Sequence, residues 1–455
     1  MQKVIIKLDP TLKFVEQIIS RASSLTVEYA RDSAYDLLIT DEIPDSRDVF
    51  IIVWDKHDIK VIEQKILDGK NQQHRTLRGF FVKEEIRKDP GSFIESIEQV
   101  AREANFKKIL EQKAEETKAK NGCIKIGSLV RVDPELTGQK LEYFYSTPRF
   151  TSLFIDKPML KLMYQLGVIL DEMSRSIERL EKDYASDIKK VEKTGGLDAK
   201  KNFDRTLLES LNKKRQVNPV RLDPILLTGD TGVGKTLIAR WIHGDNSLNP
   251  GKRRFPGSFQ EINSSGLSQT LLESELFGHV KGTFTDAKQD KPGKALLSLG
   301  GVLFLDEIGD MPLELQPRVM KFIEEKTFVP EGWFGLYPFY APSLIVAATN
   351  KNLAEEVEKK TFRRDLYARF RHRVHIPSME DRKPALNIIA DFIFQNPLIN
   401  NNGGIQFISL EAIEKLKGMR YEENFRGLER VLRDAAYKTT NLGLNIILPD
   451  VIASS

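Results

Sequence analysis

The chain has 455 residues, 40% hydrophobic and 29% charged, an ordinary soluble balance with length for about three domains. Its formal charge of +4, from 69 basic and 65 acidic residues, neither requires nor excludes a nucleic-acid partner. Cys123 is the single cysteine, which excludes an intramolecular disulfide, and no run approaches the roughly 18 apolar residues of a spanning helix. The opening Met1–Asp9 is too short and too quickly charged for a signal peptide, so a cytoplasmic protein is expected.

Residues 1–115 read as a small α/β unit. Strand-like runs, rich in β-branched and aromatic residues, occur at Val4–Leu8, Leu25–Tyr29, Tyr35–Thr40, Val49–Trp54 and Gly79–Val82. Amphipathic stretches at Leu12–Ile19 and Phe93–Leu110 alternate with them, which predicts a mostly parallel sheet covered by helices. Residues 116–214 read as a charged, largely helical connector. Polar Glu111–Asn121 runs across its start, aromatic Tyr143-Phe144-Tyr145 follows, and Glu172–Lys214 carries Leu, Ile and Val at loose helical spacing. Either a solvated connector turning at Thr194-Gly195-Gly196 or a partner-binding helix fits this pattern.

The chemistry begins at Pro224–Thr228, an apolar strand followed by Gly229-Asp230-Thr231-Gly232-Val233-Gly234-Lys235-Thr236 and a helical run, Leu237–Ile242. The glycines let backbone N–H groups curl toward phosphate oxygens, and the helix N-terminus adds partial positive charge. Lys235 is placed for the β- and γ-phosphates and Thr236 for Mg²⁺, so the expected ligand is ATP with Mg²⁺. Roughly 70 residues later the buried strand Gly301–Leu305 ends in Asp306, a Mg²⁺ ligand, and Glu307, which polarises the attacking water. A third strand, Leu344–Ala348, ends in Thr349-Asn350; Asn350 either senses the γ-phosphate or helps cap the next helix.

In order, these segments resemble the AAA+ central domain of the sigma-54-dependent transcriptional activators, the bacterial enhancer-binding proteins. The resemblance rests on Gly229–Thr236, Glu273–His279, Gly300–Leu313, Ala347–Asn350, Phe362–Arg369 and Asn424–Glu429, about half of the chain. The wording of Leu276–Gly282, Ile323–Phe328 and Asn424-Phe425-Arg426 is similar to the regulator of the RNA 3′-terminal phosphate cyclase operon. The resemblance implies a P-loop NTPase with a parallel sheet over 215–380 and a helical lid over 381–455. It implies a ring-shaped hexamer with ATP between subunits, Arg363 and Arg369 as arginine fingers, and Arg426 as a sensor from the lid. Asn263 would hold Glu307 until ATP arrives, and Phe284 and Thr285 would contact sigma-54.

Three departures accompany it. The partner loop, Gly-Ala-Phe-Thr-Gly-Ala in the family, reads Gly282-Thr283-Phe284-Thr285-Asp286-Ala287, which adds a charge and a Cβ at its tip. Tyr421-Glu422-Glu423 replaces the family's Trp-Pro-Gly, and Lys438–Ser455 is too short for the DNA-binding helix-turn-helix expected after the lid. In the first unit, Asp9, Asp41 and Lys83 end strands in a manner loosely similar to a phosphate-accepting receiver domain; a ligand-sensing, partner-binding or structural unit fits equally. Two functions stay open: a signal-responsive ATPase that remodels sigma-54 RNA polymerase, and an AAA+ ATPase that remodels another protein without DNA binding. No membrane association is expected.

Overall fold

The computed structural model describes residues 4–9, 12–20, 25–28, 37–40, 50–54, 77–129, 156–194, 205–217, 219–244, 254–284, 287–335, 337–395, 399–400 and 403–453. The chain divides into two compact units. One comprises Met1–Ile124, Gly404–Ala412 and Ala435–Val451; the other comprises Lys125–Gly403, Ile413–Asp434 and Ile452–Ser455. Segments of the expected lid thus group with the N-terminal unit.

The first unit is built on strands β1 (Val4–Leu8), β2 (Leu25–Glu28), β3 (Leu37–Thr40), β4 (Phe50–Trp54) and β5 (Leu77–Val82). They form one parallel sheet of order β2-β1-β3-β4-β5. Two-residue periodicity places Ile6 and Leu8 on one buried face of β1. Helix α1 (Lys13–Ile19) buries Val15 and Ile19, and the long helix α2 (Pro90–Ala119) buries Phe93 and Ile97 in the same core. Asp89 fixes the start of α2 by accepting a hydrogen bond from Ser92 N at 3.1 Å, with Pro90 in the first turn. This strand order is that of doubly wound sheets whose ligands sit where the order reverses, between β1 and β3. Asp9 follows β1 at that position and Lys83 follows β5, whereas Asp41 lies outside the described residues. A small sheet of Ile446–Ile447, Phe407–Ser409 and Cys123–Lys125 completes the described strands of this unit.

The second unit begins with four helices, α3 (Lys157–Glu172), α4 (Ser174–Asp183), α5 (Ala185–Thr194) and α6 (Arg205–Val217). They are not a solvated connector. Met159, Leu162, Leu166, Ile169, Met173, Leu180, Tyr184, Ile188 and Val191 form a stripe with steps of three, four or seven residues, buried in the same core as the central sheet of this unit. The dense charge occupies the opposite faces, which is why composition alone suggests solvation. Asp156 caps α3 through Met159 N at 3.2 Å and receives Arg382 Nε at 2.7 Å and Nη2 at 2.6 Å. Both partners of this ion pair are buried.

Five strands form the central sheet of this unit: β6 (Ile225–Thr228), β7 (Phe259–Asn263), β8 (Val302–Asp306), β9 (Leu344–Thr349) and β10 (His372–His375). All are parallel, in the order β10-β6-β9-β8-β7, the AAA+ P-loop arrangement. Strands β6, β8 and β9 are apolar nearly throughout because helices cover both faces. Helices α7 (Lys235–His243) and α8 (Gln316–Glu325) pack on this core. Beyond α8, Lys326 takes a left-handed φ of 56° and is buried. Its Nζ meets no hydrogen-bond partner among the described residues.

Candidate nucleotide-binding site

The phosphate loop leaves β6 in the interior of the sheet, where neighbours on both sides align their C-terminal ends. Such edges receive ligands because strand ends and helix N-termini converge there. Gly232 has a φ of 81°, and a Cβ on it would lie 2.1 Å from Glu423 O, so glycine is required twice over. Gly234, at a φ of 100°, leads into α7, whose first residue is Lys235. The Lys235 ammonium donates to Gly229 O at 3.0 Å and Asp230 O at 3.2 Å. Burial pulls its pKa below the usual lysine value, opposed by the charges of Glu307, Asp306 and Asp230. Val233 is buried under the loop, and Thr236 is half-buried in the first turn of α7.

Strand β8 carries the acids to the same edge. Burial raises the Asp306 pKa, with the Glu307 charge second, while the Glu307 N–H donates to Asp306 Oδ1 at 3.0 Å. Glu307 itself is left-handed, with a φ of 50°, a conformation that costs a non-glycine residue free energy and recurs at functional positions. From β9, Asn350 donates through Nδ2 to Thr231 Oγ1 at 3.3 Å and through its backbone N–H to Glu307 Oε2 at 3.4 Å. Asn350 therefore bridges the phosphate loop and the acid; Asn352, two residues on, caps the following helix. Asn263 stands opposite Asp306 in register, but its Oδ1 accepts from Ser265 N at 2.8 Å and Ser265 Oγ at 2.7 Å. In this geometry it closes an Asx turn rather than holding Glu307.

Among the described residues no cluster of three or more His, Cys, Asp or Glu suits a metal ion. Asp306 and Thr236 supply a carboxylate and a hydroxyl at the edge where triphosphate oxygens would complete the shell. That donor set fits Mg²⁺, which is held by few protein oxygens together with phosphates and water.

The lid adds contacts that the motifs do not announce. Helix α10 (Asn424–Asn441) starts at Asn424, whose Nδ2 donates to Thr231 O at 3.0 Å and whose Oδ1 accepts from Met379 N at 2.8 Å. Arg426 stands in the first turn of the helix, its Cγ 3.7 Å from the Cβ position on Gly232, and its charge opposes protonation of Lys235. Asn424 lies within the Asn-Phe-Arg motif, yet the sequence assigns it no role.

The two candidate fingers are held by carboxylates of their own chain. Arg363 binds Asp365 through Nε at 3.0 Å and Nη2 at 2.7 Å, and Arg369 pairs with Glu324 at 2.5 Å. Helix α9 (Arg364–Arg369) packs against α8. In the partner loop, Phe284 lies edge-on against His279 at 4.8 Å. Thr285 and Asp286 lie outside the described residues. A second loop, following Thr327–Phe328, is stitched to the first: Val280 N donates to Glu331 O and Glu331 N to Gly278 O, both at 2.9 Å. Thr283 Oγ1 also donates to Glu331 O at 3.2 Å, and Gly332 packs against that hydroxyl.

Residues 202–376 match the sigma-54 interaction domain. That span takes in the phosphate loop, Asp306, Glu307, Asn350, the partner loop and both candidate fingers, and stops before Arg426. The chain is 37% identical over 225 residues to the DNA-binding transcriptional activator HyfR of Escherichia coli (strain K12), covering 49% of this chain and 32% of HyfR. It is 35% identical over 226 residues to the DNA-binding transcriptional regulator NtrC of Azospirillum brasilense, covering 49% of this chain and 45% of that one. It thus spans less than half the length of these curated relatives. A crystal structure of NtrX from Brucella abortus in complex with ADP aligns with a TM-score of 0.44 at 17% identity, over 100% of this chain and 84% of that chain. Among the described residues no helix is long and apolar enough to cross a membrane.

Proposed function

We propose that this chain is an ATP-hydrolysing AAA+ transcriptional regulator whose sigma-54 interaction domain remodels sigma-54 RNA polymerase in response to a signal. The carrying observation is the convergence of Lys235, Asp306, Glu307, Asn350 and Arg426 on one sheet edge. In this reading Lys235 neutralises the β- and γ-phosphates, and Asp306 and Thr236 would hold Mg²⁺, which would supply positive charge beside the phosphates. Glu307 polarises the attacking water, and Asn350 positions that carboxylate against the γ-phosphate. Arg363 and Arg369 exchange Asp365 and Glu324 for the phosphates of a neighbouring subunit in a ring, contributing roughly 10³–10⁵ in rate as arginine fingers do. Asn263 would move from its turn to Glu307 between nucleotide states.

Residues 1–115 would be the sensor, and the helices α3–α6 would serve as part of the core they pack into. The loop bearing Phe284 and Thr285 would touch sigma-54, in a cytoplasmic protein related to the regulator of the RNA 3′-terminal phosphate cyclase operon. A second reading, remodelling of a different protein, is favoured by Asp286 in the partner loop.

ATP turnover measured against protein concentration tests the enzyme. The rate per subunit is expected to rise with concentration in wild type and to collapse in Glu307→Gln and Arg363→Ala; no turnover at any concentration overturns it. Capture of sigma-54 with an ATP transition-state analogue tests the client. Absence of the complex, restored by Asp286→Gly, would mean a weakened loop; absence in both would favour the second reading.

A further inference from the structure

We propose that Asn424 is the joint through which nucleotide occupancy of the phosphate loop reaches the lid, a positioning residue for Arg426; this rests on the ATP-binding part of the reading above. Three successive carbonyls of the loop are held. Those of Gly229 and Asp230 accept from Lys235, and that of Thr231 accepts from Asn424. Phosphate oxygens compete for the Lys235 ammonium, so nucleotide frees the first two carbonyls while the third stays fastened to the lid. Any turn of the loop's peptides is then passed to α10, where Arg426 lies two residues beyond the joint.

The site accepts little besides asparagine. The residue is 6% exposed, at a left-handed φ of 50°, with its own N–H donating to Tyr421 O at 2.9 Å. One end of its side chain must accept, from Met379 N, and the other must donate, to Thr231 O. Aspartate keeps the acceptor and loses the donor; glycine suits the φ and loses both. Backbone contact is already close, because a Cβ on Gly232 would lie 2.1 Å from Glu423 O. A shift of the loop therefore meets the lid as a rigid surface.

The test uses the full chain carrying Asn424→Gly or Asn424→Asp. The readouts are kcat, KM for MgATP, melting temperature, and the hydrogen-exchange protection that ATPγS confers on amides 424–434. Both variants are expected to raise KM about five- to tenfold, the weight of one or two hydrogen bonds, with kcat changed less than about threefold. Asn424→Asp keeps the bond from Met379 but turns a carboxylate toward Thr231 O, so it is expected to melt below wild type while staying folded at the assay temperature. At saturating ATPγS the protection seen in wild type should be lost in Asn424→Gly. Wild-type KM and protection in Asn424→Gly overturn the proposal. So does a KM rise confined to Asn424→Asp, which would be charge repulsion. If wild type binds ATPγS without turnover, the hydrolysis reading fails, while the protection readout still decides the joint.

Discussion

Single side chains set the energetics of the ATPase unit at two opposite kinds of position. At the site, Glu307 holds a strained backbone beside a desolvated Asp306, and the strain is maintained because β8 and its neighbours over-determine it. Glu307→Gln is expected to keep nucleotide affinity within about threefold while abolishing turnover, since the amide preserves shape but cannot polarise water; equilibrium binding of a fluorescent ATP analogue alongside phosphate release checks both halves. Away from the site, Lys326 is a buried amine whose pKa burial pushes down to about 7, opposed weakly by Asp223. Its unfolded value is near 10.5, so between these values the unfolded chain holds a proton that the native state has lost. Stability therefore rises with pH across that window and is lowest below it, where the buried amine is charged. Lys326→Met is expected to flatten this dependence and stabilise the unit by about 1–3 kcal/mol at pH 7. Urea melts followed by tryptophan fluorescence at pH 7 and pH 9 would show it; an unchanged slope would refute it.

Among elements, two junctions decide how parts of the ATPase unit move together. Helix α3 is clamped by Asp156, which serves as its cap and as the counter-ion of buried Arg382. Arg382→Met strands a buried carboxylate and should cost about 3–5 kcal/mol, whereas adding Asp156→Asn, which retains the cap, should recover much of that loss. Denaturant midpoints of the two variants measure the difference, and equal midpoints would show that the pair is not coupled. The other junction joins the two loops beside Phe284. A Cβ at Gly332 would lie 2.2 Å from Thr283 Oγ1, at a φ of 72° that also disfavours side chains. Gly332→Val should leave ATP turnover nearly intact and weaken analogue-dependent capture of sigma-54 by about fivefold or more, because it displaces only the partner loops.

For the whole molecule, the proposed role of Arg363 and Arg369 as fingers, which their own carboxylates Asp365 and Glu324 hold in the single chain, makes a specific prediction about assembly. Glu307→Gln protomers retain the fingers, and Arg363→Ala protomers retain the acid. Mixing the two inactive proteins is expected to give turnover above the sum of the separate rates, because some sites then combine an intact Glu307 with a neighbour's intact Arg363. Additive rates would place both groups in one protomer's own site.

The local geometry of the candidate site is readable from the sequence. Gly229–Thr236 is contiguous backbone between a strand and a helix start, and the buried runs ending in Asp306-Glu307 and Thr349-Asn350 carry their polar residues to a strand end by covalent continuity. The five strands of the first sheet and the three apolar strands β6, β8 and β9 of the second follow from local runs of residues, whereas β7 (Phe259–Asn263) and β10 (His372–His375) carry too few apolar residues to announce themselves. What required tertiary structure is everything set by contacts distant in sequence. The bond from Asn424 to Thr231 spans 193 residues. The charged helices α3–α6 are core rather than connector because only folding shows which face meets the sheet. Gly404–Ala412 and Ala435–Val451 group with the first unit although motif order runs on without a break. Motifs record which groups a reaction needs; packing alone decides which distant backbone each group is fastened to.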